Sequence, residues 1–282
     1  MPHQAARRKL SHRDRQGMSE SRIKHLSSPE GQDALRSLSL ARSLFAFDFD
    51  GTLAPIVTRP DAARLSIGVQ QRLKQLAQCA LVAVISGRSL ADVRARIPGE
   101  IRHSIGNHGS EGTSEAVDMD AMRQVCRAWL AQLQQYLADP DRDAGIIIED
   151  KGLTLSVHYR MAADHALAEQ RLGALVSRLV PAARVIGGKL VFNLLPPNAL
   201  TKFEALVDLQ QREAAERVLF VGDDQTDELV FAQAPAHWTT VRVEPDSTSR
   251  ASFFIDQQSD ISGLLDQLLK LLQRPTASAS GH

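Results

Sequence analysis

The sequence predicts an α/β fold: a core built on a parallel sheet, with a smaller α+β unit inserted into it. Three observations carry this expectation. Short apolar runs break off abruptly into polar residues and glycine, helical periodicity separates them, and a long stretch of different texture lies between the second and third runs. The runs are Leu44-Phe45-Ala46-Phe47 before Asp48, Leu81-Val82-Ala83-Val84-Ile85 before Ser86, and Val218-Leu219-Phe220-Val221 before Gly222-Asp223-Asp224. In an open parallel sheet the ligand crevice lies beyond the carboxyl ends of the strands, so the three breaks should converge on one site.

The insert spans residues 112–196. Residues 122–137 and 163–179 have helical periodicity, whereas 145–149, 153–159 and 189–195 alternate like strands, with turns at Gly152 and Gly187-Gly188. Helix, two strands, helix, two strands predicts one sheet covered on one face. Placed between core strands, such a unit would lie over the crevice as a lid, with Gly109, Gly112, Pro196 and Pro197 as hinges. The core is then expected from residues 43–111 and 197–282. Residues 1–42 carry nine Lys/Arg against four acids, with few large apolar residues, and read as a flexible basic tail without a catalytic role.

Composition narrows the function. The 282 residues, 43% hydrophobic, suffice for one substantial core or two lobes. Lys plus Arg (33) equals Asp plus Glu (33), which gives no overall field for nucleic acid or an anionic membrane. There is no apolar stretch near the roughly 20 residues of a membrane span and no secretory h-region, so a cytoplasmic monomer is expected. Cys79 and Cys126, far apart and without C-x-x-C spacing, read as inert core thiols.

Asp48-Phe49-Asp50-Gly51-Thr52 places two carboxylates two residues apart where a buried strand opens into a loop. Asp48, fixed at the strand end, suits attack on phosphorus; Asp50, on the loop, suits protonating the leaving oxygen and then deprotonating water. Gly51 and Thr52 let backbone and hydroxyl donors approach a phosphate. The alternatives are an ordinary turn or a calcium loop, whose further acidic positions do not follow. Ser86-Gly87-Arg88 offers a second phosphate contact, or simply a turn and helix cap. Residues 222–228 hold four acids in seven residues, a density of like charge that calls for a cation. Asp48, Asp223 and the main-chain carbonyl of Asp50 would give Mg²⁺ its hard oxygen ligands, with Asp224 and Asp227 completing or orienting the shell; the alternative is an acidic helix N-terminus. Lys202, near the start of an expected helix after Pro196-Pro197, is the candidate fixed cation joining nucleophile and phosphate.

Taken in order, these residues resemble the haloacid dehalogenase-like superfamily over most of residues 44–260. Within it, Gly222 to Phe231 (GDDQTDELVF), Ser86-Gly87-Arg88, Gly106-Asn107-His108-Gly109 and Ser156-Val157-His158-Tyr159-Arg160 resemble the trehalose-phosphate phosphatase family. The resemblance implies a Rossmann-like core, an α/β-type lid, Mg²⁺, and hydrolysis of trehalose 6-phosphate. It implies that Asn107, His108, Lys151, Arg160, Lys189 and Asn193 touch the substrate. Lys151 and Lys189 can also be read as exposed turn charges and His108 as a turn histidine, and only one of His158 and Tyr159 can face the crevice. The chain departs from the family's Glu-x-Arg-Pro element, with Asn193-Leu194-Leu195-Pro196 in its place, and Phe203 stands where glycine usually follows the lysine. A phosphomutase would share the aspartates. An ion-pumping ATPase would place Lys and Thr where Phe49 and Asp50 stand, and a binding regulator on this scaffold would have lost Asp48 or Asp50.

Overall fold

The computed structural model of the chain describes residues 23–39, 41–114, 118–138 and 145–273. In chain order the elements are β1 (Lys24–His25), α1 (Pro29–Ser39), β2 (Ser43–Phe47), α2 (Ile67–Cys79), β3 (Leu81–Ile85), α3 (Leu90–Arg94), β4 (His103–Ile105) and α4 (Met119–Leu137). There follow β5 (Ile147–Asp150), β6 (Leu155–His158), α5 (His165–Val176), β7 (Arg184–Gly188), β8 (Val191–Leu195), α6 (Lys202–Arg212), β9 (Arg217–Gly222), α7 (Gln225–Gln233), β10 (Trp238–Val243), β11 (Phe253–Ile255) and α8 (Ile261–Leu272).

The apolar runs form β2, β3 and β9, which lie side by side at the middle of a seven-stranded sheet of order β1-β11-β10-β9-β2-β3-β4. Every pairing in it is parallel. Alternate residues of each run enter different cores, which is why the runs are continuously apolar. Phe45, Phe47, Val82, Val84, Leu219 and Val221 pack on one face against Leu73 and Leu76 of α2 and Leu265 and Leu268 of α8. Leu44, Ala46, Ala83, Ile85, Val218 and Phe220 pack on the other against Ala205, Leu206 and Leu209 of α6 and Phe231 of α7.

A second, antiparallel sheet has the order β5-β6-β8-β7. Its two helices cover one face: Cys126, Trp129 and Leu133 of α4 and Leu172 and Val176 of α5 meet Leu155, Val157 and Leu194 of the strands. The α/β class, with a parallel sheet and a separate antiparallel one, is as expected. The chain leaves the first sheet beside Gly109 and returns beside Thr201. A Cβ on Gly109, at φ 126°, would lie 2.4 Å from the Thr201 carbonyl oxygen, so the two crossings touch.

Three expectations are corrected. Of the expected tail, residues 1–22 lie outside the described residues, but 23–39 are folded. β1 pairs with β11, and Leu26, Leu35 and Leu38 are buried in the main core. A two-residue strand and a serine-rich helix with one apolar stripe leave little periodic signal. Cys79 is exposed at the end of α2, whereas Cys126 is buried. Gly187-Gly188 belong to β7, and the hairpin turn is Lys189-Leu190, with Leu190 at φ 60°. Among the described residues no helix is long and apolar enough to cross a membrane.

Leu35→Ala tests the folded N-terminal helix. Removing this buried side chain is expected to lower the unfolding free energy by about 2–5 kcal/mol, read by urea denaturation. A loss below about 0.5 kcal/mol, the range of surface substitutions, would return the segment to the tail.

Candidate active site

The breaks after β2, β3 and β9 do converge. Asp48 continues β2 by one pairing, its N–H donating to the Val221 carbonyl at 2.9 Å, and the chain then turns away. Its carboxylate is 4% exposed and accepts from Lys202 Nζ at 2.7 Å. Lys202 is the first residue of α6, which Thr201 caps in a reciprocal arrangement with Glu204. Its ammonium is buried and donates also to Asp227 Oδ1 at 2.7 Å. Asp227 accepts the N–H groups of Asp223 and Asp224 on Oδ2 at 2.9 and 3.1 Å, so both its oxygens are engaged. Asp224 caps α7, accepting from the N–H groups of Thr226 and Asp227. Asp223 accepts from Thr52 Oγ1 at 3.1 Å, and the loop after Asp48 clears it only because Gly51, at φ 82°, has no side chain: a Cβ there would lie 2.1 Å from Asp223 Oδ2.

Asp48, Asp223, Asp224 and Asp227 thus surround one ammonium. Burial pushes Asp48 well above the usual carboxylate range, with Lys202 opposing and the neighbouring aspartates adding to it. Burial followed by repulsion from Asp224 and Asp227 also pushes Asp223 well up. Asp227 rises to about 7, chiefly through burial. Burial would raise Asp224 as well, but Lys202 and the bonds from Thr226 hold it at about 2. Lys202, despite its burial, is held well above the usual ammonium range by Asp227 and Asp48. The cluster carries more negative charge than Lys202 offsets. One oxygen each from Asp48, Asp223 and Asp227 lie within 4.8 Å of one another, so these hard donors fit a divalent cation. With both oxygens of Asp227 committed, Asp48 and Asp223 are the carboxylates left to hold one.

The remaining expected residues divide. Ser86 is buried at the end of β3, and its Oγ accepts the Arg88 N–H at 3.2 Å. Arg88, expected on phosphate, instead donates from Nε and Nη2 to the two oxygens of Asp50, both at 2.6 Å. His108 is 5% exposed at φ 58°, neither ring nitrogen has a hydrogen-bond partner, and burial, then Lys151 and Lys202, push its pKa well below the usual imidazole value. Asn107, expected on substrate, is consumed by ties between the sheets. It donates to Glu111 at 2.8 Å and to the Lys151 carbonyl at 3.3 Å, and accepts from Thr154 at 2.8 Å.

A cavity of about 720 Å³ joins these groups to the open face of the second sheet. Asp48, Asp50, Ser86, Gly87, Arg88, His108, Lys202 and Asp224 line it from the core, and Lys151, Arg160 and Asn193 from the second sheet. Lys189 is exposed in the hairpin turn and does not line it. His158, the one of the His158 and Tyr159 pair that faces the crevice, lines it too, 2.9 Å from Glu149, a lining residue not named from the sequence. Glu149 is held below the usual carboxylate range by His158, against burial and with help from Lys151. The sequence signal available for this pair was strand parity: His158 faces the cavity while Tyr159 packs on Phe192.

The sequence model of the family described as Trehalose-phosphatase matches residues 46–259. A trehalose-phosphate phosphatase of Mycobacterium tuberculosis is 33% identical over 269 residues, covering 88% of this chain and 68% of that protein. The C-terminal domain of a Candida albicans trehalose-6-phosphate phosphatase superposes with a TM-score of 0.70 at 22% identity, over 89% of this chain and 99% of that one. The trehalose-6-phosphate phosphatase of Aspergillus fumigatus gives 0.60 at 28% identity, over 88% and 99%. With its motif aspartates gathered at one crevice and its sequence matched over most of its length, the chain belongs to the trehalose-phosphatase family, a family of phosphoric monoester hydrolases.

Proposed function

We propose that the chain is a Mg²⁺-dependent phosphatase that converts trehalose 6-phosphate to trehalose and phosphate through an aspartyl-phosphate on Asp48. The observation that carries this reading is the placement of Asp48. It is a buried carboxylate at a strand end, fixed by Lys202 and opening into a cavity whose far wall sets Glu149, Lys151, His158, Arg160 and Asn193 among apolar residues. An oxygen of Asp48 attacks phosphorus and the P–O ester bond breaks. Its electron pair goes to the sugar oxygen, which takes a proton from Asp50. Water then attacks the aspartyl-phosphate, gives its proton to Asp50 and releases phosphate, restoring the Asp48 carboxylate. Lys202 keeps the nucleophile oriented throughout, and the Ser86 hydroxyl supplies a donor to the phosphoryl oxygens, whereas the Gly51 N–H and the Thr52 hydroxyl, expected to do so, are bonded to the Ala54 carbonyl and to Asp223. Asp48, Asp223 and the Asp50 carbonyl would hold Mg²⁺, which when bound offsets the charge of the dianion and of the aspartates.

The second sheet, residues 112–196 in this reading, acts as the lid that excludes water and reads the sugar. His108, Lys151, Arg160 and Asn193 face the sugar, joined by Glu149 and His158. His108 is the clearest case: leaving a buried polar group unpaired costs about 1–3 kcal/mol, and a sugar hydroxyl would supply the missing partner. Asn193 accepts from Ser156 Oγ at 2.7 Å, so its amide oxygen is engaged and its NH₂ remains to donate.

Phosphate release across a panel of sugar phosphates, with Mg²⁺ and with a chelator, tests the reading as a whole. Trehalose 6-phosphate is expected to be turned over best, and only with the metal. Faster hydrolysis of a monosaccharide phosphate would overturn the sugar assignment, and full activity in chelator the metal assignment.

Asp48→Asn is expected to leave the fold intact and lower kcat by several powers of ten. Retention of more than about a hundredth of the activity would remove Asp48 as nucleophile.

Asn193→Glu restores a charged acceptor where the family pattern has glutamate. Charge-assisted hydrogen bonds are roughly twice as strong as neutral ones, so kcat/KM for trehalose 6-phosphate should rise by up to about tenfold, with p-nitrophenyl phosphate within about twofold. Equal effects on both esters would show that residue 193 does not read the sugar.

A further inference from the structure

Asp50 is the start of a chain of charges in which Asp92 and Arg96 do not themselves line the cavity. Arg88 grips both its oxygens, lies with its guanidinium 5.4 Å from the centre of the Phe49 ring, and donates from Nη1 to Asp92 Oδ2 at 2.7 Å. The second oxygen of Asp92 accepts from Arg96 Nε and Nη2 at 2.9 and 2.7 Å. Arg96 in turn donates to the main-chain carbonyls of Ala63 and Asp61 at 2.7 and 3.2 Å. The Arg88 and Arg96 side chains are only 11% and 10% exposed, so these are not loose surface pairs. Asp92 also sits in the first turn of α3, its N–H donating to the capping Ser89 Oγ at 3.3 Å. It does not line the cavity.

We propose that Asp92 is a positioning residue of the reaction: by holding the far edge of the Arg88 guanidinium, it sets the orientation from which Asp50 serves the ester oxygen. The inference rests on the reading above, in which Asp50 supplies the proton. In the structure each oxygen of Asp50 accepts one N–H from Arg88, and the oxygen that carries the proton to the leaving group has to turn from that N–H toward the cavity. An arginine without this second ion pair would follow the carboxylate more freely. One held at its opposite edge by Asp92, itself anchored through Arg96 to residues 61–63, stays behind. The carboxylate then turns about a fixed guanidinium rather than drifting with a mobile one. Chemically the step is unchanged: the P–O bond breaks toward the sugar oxygen, the proton leaves Asp50 for that oxygen, and Arg88 and Asp92 exchange no atoms.

The test separates protonation of the leaving group from sugar recognition by using aryl phosphates of similar size. In p-nitrophenyl phosphate the leaving oxygen departs without a proton, whereas in phenyl phosphate it needs one. Asp92→Ala is expected to lower kcat/KM for phenyl phosphate by about tenfold while p-nitrophenyl phosphate stays within about twofold. A residue with a merely structural role would lower both together, and that result, or no change in either, overturns the proposal. Asp50→Asn is the control for the underlying reading, since it should show the same split, only larger. If Asp50→Asn lowers both esters equally, the proton-donor role fails. If it gives the split and Asp92→Ala does not, only the positioning role fails. Should Asp92→Ala melt below the assay temperature, Asp92→Asn, which keeps the shape and loses the charge, is expected to show a split of about threefold; the absence of one in a folded protein overturns the proposal equally.

Discussion

The buried ammonium of Lys202 is the constraint on which the site depends. An ion moved from water into a protein interior loses several kcal/mol of solvation, and it stays charged only where partners surround it. Lys202 has two, Asp48 at the end of one central strand and Asp227 in the first turn of the helix after another. Three elements far apart in sequence are therefore fixed to a common point. Asp227 passes the constraint on, because its second oxygen takes the backbone N–H groups of Asp223 and Asp224 and so fixes where Asp223 stands. The position of Asp223 relative to Asp48 is thus set through the lysine.

The electrostatic character of the cavity follows. Its floor concentrates carboxylates around one cation, while the opposite wall carries Lys151 and Arg160. A phosphate dianion alone would be repelled by the carboxylates of the floor, whereas a divalent cation would be drawn to them. The two together fit, one neutralising what the other brings. The second sheet supplies the part of the wall where hydroxyls can be matched, through groups such as Glu149 and His158 that already bond each other across neighbouring strands.

How far this was legible in the sequence depends on distance along the chain. β2, β3 and β9 could be read because strands buried on both faces are apolar without interruption, and Asp48, Ser86 and Asp223 follow directly at their ends. β1, β4 and β11, with two or three residues each, are too short to show a period, and β10 hides buried threonines, Thr239 and Thr240, that read as polar surface. The same limit applied to the site. Asp48, Asp50, Ser86 and the acids after β9 belong to compact local patterns, and Lys202 could be read from its place in their order. The role of Arg88 depends on a carboxylate 38 residues earlier, that of Asn107 on a hydroxyl 47 residues later, and that of Glu149 on the register of β5 against β6. Such partners are products of topology, and no single window of sequence contains them. Lys189 shows the converse, since its motif position suggested a contact but the hairpin turn carries it to solvent.

The close approach of Gly109 to Thr201 has a consequence for ancestry. Because the chain departs from the parallel sheet and rejoins it at neighbouring points, everything between behaves as a loop whose ends are already joined. Lengthening such a loop costs entropy that grows only with the logarithm of its size. Residues in that excursion can accordingly be exchanged, enlarged or recombined without shifting the register of any parallel strand or disturbing Lys202. The parallel sheet is free to keep its arrangement while its partner across the cavity is rebuilt.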